Sequence, residues 1–326
     1  MGSELRDAQQ EGGLLGVPVP AAADPAGSLA ARLDRVPELA GTPRAVTELP
    51  GGLTNHNYKV TTGAGAFVAR VWSGGGDFLA INRDHEYHNS VAAAQAGVGA
   101  PVVAYHPEDN LLVLRFIEGR TFGNSDVQAP ANIPRIARAC RQLHAGPRFA
   151  GDFDMFVIQG RYAAVTAELG LRVPAGYDSL MPQLEAARRA LAVRAEPTVP
   201  CNNDLLAANF IDDGSRIWLI DYEYAGNNDA CFELGNIWGE CHLSAGALAR
   251  LVTAYYGRTL RNKIARAMLL GMVGKYGWTL WGAIQAATSP IEFDFWSWAM
   301  ERYEGAVAGL TGPDFPRLLD DVQRDD

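Results

Sequence analysis

Hydrophobic and polar positions change their rhythm twice along the chain. Residues 1 to about 25 are rich in Gly, Ala, Pro and Gln without periodicity, which predicts a mobile leader, and residues 29–39 carry one short amphipathic pattern stopped by Gly41 and Pro43. From Ala45 the period falls to two: residues 46–49, 58–62 and 67–72 alternate between Gly-rich turns and predict an antiparallel meander. A helical period over 79–96 ends at Gly97, and strand-like runs follow at 102–105 and 111–117. Beyond Gly119 the period is that of helices, near 133–145, 159–169, 180–195, 230–242, 246–257, 261–286 and 291–309. One β-like island, residues 198–222, interrupts them, with runs at 209–211 and 217–220 around the turn Asp212-Asp213-Gly214. The pattern predicts an α+β fold of two lobes: a leader and short helix over 1–44, a small antiparallel sheet lobe over 45–118, and a larger helical lobe over 119–326. A ligand cleft is expected between the lobes.

Composition narrows the classes. With 48% hydrophobic and 20% charged residues in 326, the chain can bury a large core. Its 28 basic and 37 acidic residues give a net charge of −9 without a basic stripe, which argues against nucleic acid and anionic membranes as partners. The longest apolar run, 267–274, is far short of the roughly 20 residues of a membrane span, and residues 1–40 lack a signal architecture, so a cytoplasmic protein is expected. Cys140, Cys201, Cys231 and Cys241 form no CxxC pair and read as reduced, packed thiols; neighbouring Cys241 and His242 point different ways on a helix, so no metal cluster is expected.

The chemistry concentrates in the island. Asp204 and Asn209 stand five residues apart, a hairpin follows, and then Asp221. Asn209 and Asp221 offer the hard oxygen donors that suit Mg²⁺ when a nucleotide supplies further ligands, and a separate carboxylate, Asp204, can accept a hydroxyl proton. The bland alternative is a polar loop in which Asp and Asn merely form turns. In the first lobe, Gly51, Gly52, Thr54, Asn55 and Asn57 form a turn entering a strand, with groups able to approach phosphate oxygens; an ordinary hairpin loop is the alternative. Arg70 falls on the inward face of its strand, where a cation needs an anion, and Glu86 in the next helix is the natural partner.

Taken together, residues 50–60, Arg70 with Glu86, Arg115-Phe116-Ile117-Glu118-Gly119, Leu143-His144, the Asp204 to Asn209 loop and Asp221-Tyr222-Glu223-Tyr224-Ala225-Gly226 resemble the choline/ethanolamine kinase family. That family belongs to the aminoglycoside-phosphotransferase-like group with a protein-kinase-like fold. The resemblance covers about residues 45–310. It implies that Asp204 is the catalytic base, that Asn209 and Asp221 hold Mg²⁺, that Arg70 contacts ATP phosphates, and that Arg115, Phe116, Ile117 and Glu118 line the adenine hinge. It further implies that Glu223, Tyr224, Glu240, Trp278 and Trp281 surround the acceptor's quaternary ammonium, a group that has no N–H and is held by aromatic faces and negative charge. Trp278 and Trp281, three apart on one helix face, can equally be core.

Two positions depart from the family pattern. Asn202 stands where the family has His, and Gly235-Asn236-Ile237-Trp238-Gly239-Glu240 lacks the His of the family's Asn-His-Phe-x-Glu. Asn also donates and accepts, over a shorter reach. The expected activity is ATP-dependent phosphorylation of choline or a related amino alcohol by a monomer or homodimer. The alternatives are phosphorylation of another hydroxyl compound, such as an aminoglycoside, a sugar or a biosynthetic intermediate, and nucleotide binding without catalysis, prompted by Asn202.

Overall fold

Short strand-forming segments separated by turns give the first strands, and five of them pair into one antiparallel sheet. In the computed structural model, which describes residues 25–72 and 76–326, these are β1 (Arg44–Leu49), β2 (Asn55–Thr62), β3 (Gly65–Trp72), β4 (Val102–His106) and β5 (Leu111–Arg115), in the order β1-β2-β3-β5-β4. The expected mobile leader lies outside the described residues. Two units divide the chain, residues 1–42 and 43–326. In the first, helix α1 (Pro25–Leu33) starts and ends earlier than the expected 29–39, and turns follow it. Pro37 is the reason: it has no N–H to give Leu33, and the residue before it is pushed away from helical geometry.

Within the second unit, α2 (Arg83–Gln95) connects β3 to β4. It begins later than the hydrophobic pattern suggests, because Gly76–Leu79 forms a 3₁₀ turn and Asn82 caps the helix, its side chain accepting from the His85 amide at 3.0 Å. Past β5 the chain runs through β6 (Arg120–Thr121), α3 (Asn124–Gln128), α4 (Ile133–His144), α5 (Met155–Glu168) and α6 (Met181–Val193). The island then supplies β7 (Val199–Cys201), β8 (Phe210–Asp212), β9 (Ile217–Leu219) and β10 (Gly226–Asn228). β8 and β9 form the expected hairpin and β6 adds to its edge, while β7 pairs with β10. The two- and three-residue strands β6, β7 and β10, and the short helix α3, are below what periodicity can register.

The helical remainder is α7 (Ala230–Glu240), α8 (Ala245–Tyr256), α9 (Arg261–Thr288), α10 (Phe295–Leu310) and α11 (Phe315–Asp321). Most of α9 between Ala265 and Gln285 is buried around its whole circumference, which makes it the axis on which α5, α7, α10 and α11 pack. Its closest crossing is with α7. A methyl on Gly235 would stand 2.1 Å from the Ala267 carbonyl oxygen and 2.8 Å from the Gly271 nitrogen, both backbone atoms with little room to move. That contact fixes the height of α7, and so of the groups α7 sends towards the island.

Gly235→Ala therefore tests the crossing. In an exposed helix the change gains about 1 kcal/mol of propensity, but here overpacking outweighs it, and a net loss of about 2–3 kcal/mol is expected in urea unfolding. An unchanged or raised midpoint would contradict the close crossing.

Candidate active site

The loop from β7 to β8 carries Asp204 and Asn209, and its backbone is held from below by α7. Glu233, fully buried, accepts from the Asn202 amide at 3.0 Å with one oxygen and from the Asn203 amide at 2.7 Å with the other. Asn236, one turn further on, accepts from the Leu205 amide at 2.7 Å. Asn203 sits at φ 68°, a left-handed conformation costly for a residue with a side chain. Its amide group compensates by donating to the carbonyls of Cys201 and Tyr224 at 3.2 and 3.0 Å.

Asn202, the first departure from the family pattern, is fully engaged in hydrogen bonds. Its side-chain oxygen accepts from the Asp204 amide at 3.1 Å, and its Nδ2 donates to the carbonyls of Ile220 and Asp221 at 3.1 and 2.7 Å. One side chain thus ties the Asp204 loop to the Asp221 segment. Asp221 is also left-handed, at φ 67°. The strain at Asn203 and Asp221 is held on both sides by buried hydrogen bonds, as expected where a loop is built for a site rather than for stability.

Asn209 donates through Nδ2 to the Asp204 carbonyl at 2.7 Å, which leaves its Oδ1 as an acceptor. The Ile220 amide donates to the Asn209 carbonyl at 3.1 Å, so Asp221 follows directly across the hairpin. Asn209 and Asp221 both border the cavity that Asp204 faces. Two hard oxygen donors beside a third, separate carboxylate is a donor set that fits a hydrated Mg²⁺ sharing its shell with phosphates.

A network of two arginines and three carboxylates stands behind them. The Arg70 Nη1 donates to Glu86 at 2.7 Å and to Asp221 at 2.6 Å, and its Nε donates to Asn57 at 3.3 Å. Arg83 donates to Glu86 at 2.6 Å, to Glu223 at 3.3 Å and to Asn55 at 2.8 Å. The expected Arg70–Glu86 pair is present, and Arg83 doubles it. Burial opposes the charge on Arg70, but Asp221 and Glu86 outweigh it and its pKa moves up. Glu223 is pushed up by burial and by neighbouring Asp221, against the pull of Arg83 and Arg70.

The side chains of Thr54 and Asn55, expected to approach phosphate, donate to Glu223 at 2.6 and 2.9 Å in this structure. Gln285 of α9 donates to the Leu53 carbonyl at 2.9 Å. The loop between β1 and β2 is therefore latched onto the helical lobe. Its tightness requires glycine: a methyl on Gly52 would lie 2.2 Å from the Asn55 carbonyl, and Gly51 sits at φ 98°.

A cavity of about 100 Å³ collects most of the expected site. Gly51, Gly52, Thr54, Asn55 and Asn57 form its first-lobe wall, and Asp204, Asn209, Asp221, Glu223, Tyr224 and Glu240 its polar floor. Trp278 and Trp281 also line it, although both are at least nine-tenths buried; the alternatives of core and cage are here the same residues. Trp281 donates from its indole nitrogen to the Tyr224 hydroxyl at 2.6 Å, and Trp278 meets the Tyr224 ring edge-on at 5.0 Å. Trp298 of α10, not anticipated from sequence, adds a third indole, 5.0 Å from Trp281. Arg70 and Glu86 stand behind Asp221 rather than on the wall.

Arg115, Phe116, Ile117 and Glu118 do not border this cavity; they lead from the end of β5 to Gly119, where a methyl would stand 2.7 Å from Ile211. There Arg115 lies over the Phe67 ring at 4.6 Å, and Lys59 lies 3.7 Å over Phe116 and 3.4 Å from Glu118. All four cysteines are buried and unbridged. Spacing did not foretell one grouping: His144, Cys201 and Glu233 meet beneath the loop, with His144 Nε2 at 3.5 Å from Glu233 and 3.6 Å from the Cys201 sulfur. Glu233 there is already committed to two amides.

The family described as "Phosphotransferase enzyme family" matches residues 45–267. A choline/ethanolamine kinase family protein from Mesorhizobium loti superposes with a TM-score of 0.80 at 31% identity, over 91% of this chain and 99% of that one. This chain belongs to the choline/ethanolamine kinase family of phosphotransferases. Curated relatives include Protein LicA of Haemophilus influenzae, 26% identical over 64% of this chain and 62% of that protein, so the match spans about three fifths of LicA's length. Ethanolamine kinase 1 of Mus musculus is 26% identical over 69% of this chain and 72% of its own. Choline kinase LicA of Streptococcus pneumoniae shares the fold, with a TM-score of 0.75 at 23% identity over 87% of this chain. Among the described residues of this phosphotransferase, no helix is long and apolar enough to cross a membrane.

The site's electrostatics carry a consequence for stability. Burial, then the carboxylates of Glu240, Asp221 and Glu223, push the Asp204 pKa well above the ordinary carboxylate range, and Arg302 draws it down. A carboxyl raised in the folded state favours folding below its unfolded pKa, and that contribution is lost as pH rises through the folded value. In metal-free protein, Asp204→Asn should therefore unfold at a higher temperature than the parent at pH 8, and the gap should close towards pH 4. A variant less stable than the parent at pH 8 would contradict this environment.

Proposed function

We propose that this phosphotransferase moves the γ-phosphoryl group of ATP to the hydroxyl of choline or a related amino alcohol. The observation that carries the reading is that Asp204, Asn209 and Asp221 border the same cavity as Trp278, Trp281, Trp298 and Tyr224. Phosphate chemistry and an aromatic surface suited to an ammonium thus share one small space.

In this reading residues 45–118 present the nucleotide and residues 119–326 the catalytic loop and acceptor. Mg²⁺, held by Asn209 and Asp221, would supply charge neutralisation to the phosphates. Asp204 accepts the hydroxyl proton as that oxygen bonds to the γ-phosphorus and the bond to the β,γ-bridging oxygen breaks, releasing ADP. The bond from Asn209 to the Asp204 carbonyl and the bond from the Asp204 amide to Asn202 fix the carboxylate's base at both ends of the residue. Arg70 holds Asp221 in place and contributes positive charge towards the phosphates. Most of the rate enhancement comes from positioning and electrostatics. The bonds made by Asn202 favour an active enzyme over a nucleotide-binding shell, since they supply the loop support whose absence would suggest decay.

An acceptor panel with Mg²⁺-ATP tests the proposal. Choline or ethanolamine should be phosphorylated with the highest kcat/KM, and Asp204→Asn should lower kcat by about 10²–10⁴-fold, the scale of a lost general base, with nucleotide affinity largely retained. Turnover of an aminoglycoside or sugar above both amino alcohols, or unchanged turnover in the variant, would overturn it.

A further inference from the structure

Glu240, which sequence reasoning assigned to the acceptor's positive charge, already has a cation. Arg302 of α10 donates from Nη2 to Glu240, and both side chains are almost wholly buried, at 11% and 4% exposure. The same guanidinium lies over Trp298, its carbon 3.4 Å from the ring centroid, and Nη1 stands 3.5 Å from Glu301. Glu240 and Trp298 both border the cavity with Asp204, and Arg302 stands directly behind them. Its field reaches the reacting end, because Arg302 is among the charges that act on Asp204. Its Nε is buried with no hydrogen-bond partner among the described residues, so the guanidinium is not placed to saturate its own donors.

An arginine stays ionised at any working pH, and stacking on an indole while pairing with a carboxylate uses both features that would hold a quaternary ammonium. Of the other acids that border the cavity, Glu223 is matched by Arg83 and Asp221 by Arg70. An incoming cation therefore meets aromatic faces beside Glu240 and Glu223 carboxylates that already have cationic partners.

We propose that Arg302 sets the charge selectivity of the acceptor pocket: by holding Glu240 and covering Trp298, it limits how strongly the site prefers a cationic alcohol to an uncharged one of the same shape. The inference rests on the cavity being the acceptor site of an amino-alcohol kinase. It assigns opposite effects to the two members of the pair. Without Arg302 the Glu240 carboxylate, left with the field of Lys275, attracts a cation more strongly; without the Glu240 charge Arg302, left with the half-exposed Glu301, repels one more strongly. A pair that only braced α7 against α10 would weaken both kinds of alcohol together.

The test is calorimetric binding of choline and of its tert-butyl isostere, in which carbon replaces the nitrogen, to the full chain and to Arg302→Met, Glu240→Gln and the double variant. The ratio of the choline to the isostere association constant should rise about tenfold or more in Arg302→Met, fall in Glu240→Gln, and return towards the parent in the double variant. Arg302→Met leaves a buried carboxylate unpaired and loses stability; Glu240→Gln keeps the inference falsifiable if that variant does not fold. Ratios within about twofold of the parent in every soluble variant, or no binding of either alcohol by the parent, would overturn it. Turnover is measured separately. Binding ratios that move as expected without phosphorylation of choline or ethanolamine would uphold the role of Arg302 and sink the proposed reaction.

Discussion

Everything at this site hangs from one buried ionic network. Glu86 of α2 receives both Arg70 and Arg83, and these pass the connection to Asp221 and Glu223 beyond the island hairpin. None of these groups is tolerable alone at its depth: removing one partner of a buried pair costs about 3–5 kcal/mol, because the other charge is stranded. Such a network contributes little net stability over an apolar core, but it accepts very few arrangements. It therefore sets where the sheet's inner face stands relative to Asp221, and the latch of Thr54 and Asn55 on Glu223 carries the same register to the glycine loop.

The second half of the construction is the support beneath the Asp204 loop. Glu233 and Asn236 are presented one helical turn apart by α7, whose height is fixed by the Gly235 crossing with α9. That crossing lies on the opposite link of the chain from chemistry, yet a shift there moves the loop amides directly. The axis helix α9 also carries Trp278 and Trp281, so the aromatic wall of the cavity and the loop support are both referenced to one rigid element. A site built on packed helices holds geometry better than one built on free loops.

The division into a sheet lobe and a helical lobe was legible in the sequence because period two and helical period each persist over long stretches, and Asp204, Asn209 and Asp221 were legible because their spacing is local. The alternation around Arg70 even named its partner, Glu86. What escaped was set by distance in the chain. Arg83 opens a helix and reads as a surface cation; Glu233, in the first turn of α7, reads as an acid favoured by the helix dipole. Trp298 and Arg302 lie on a helix whose pattern of aromatic and charged positions suits an ordinary half-exposed face, and only the tertiary arrangement brings them to Glu240. The Thr54 and Asn55 side chains border the cavity, but their partner Glu223, about 170 residues away, was beyond any local signal. Asn202 shows the converse: a residue that breaks a pattern in sequence still ties the loop in space, with three hydrogen bonds.

The claim that Glu223 latches the first lobe's loop to the helical lobe is tested most directly by amide hydrogen exchange over residues 51–57 in a double-mutant cycle of Thr54→Val and Glu223→Gln. Each change should raise exchange across the loop, and the double variant should rise by less than the sum of the two single increases, since Thr54 and Glu223 share one contact. Additive increases, or protection unaltered by Glu223→Gln, would contradict the latch and with it the idea that one ionic network sets the register of the site.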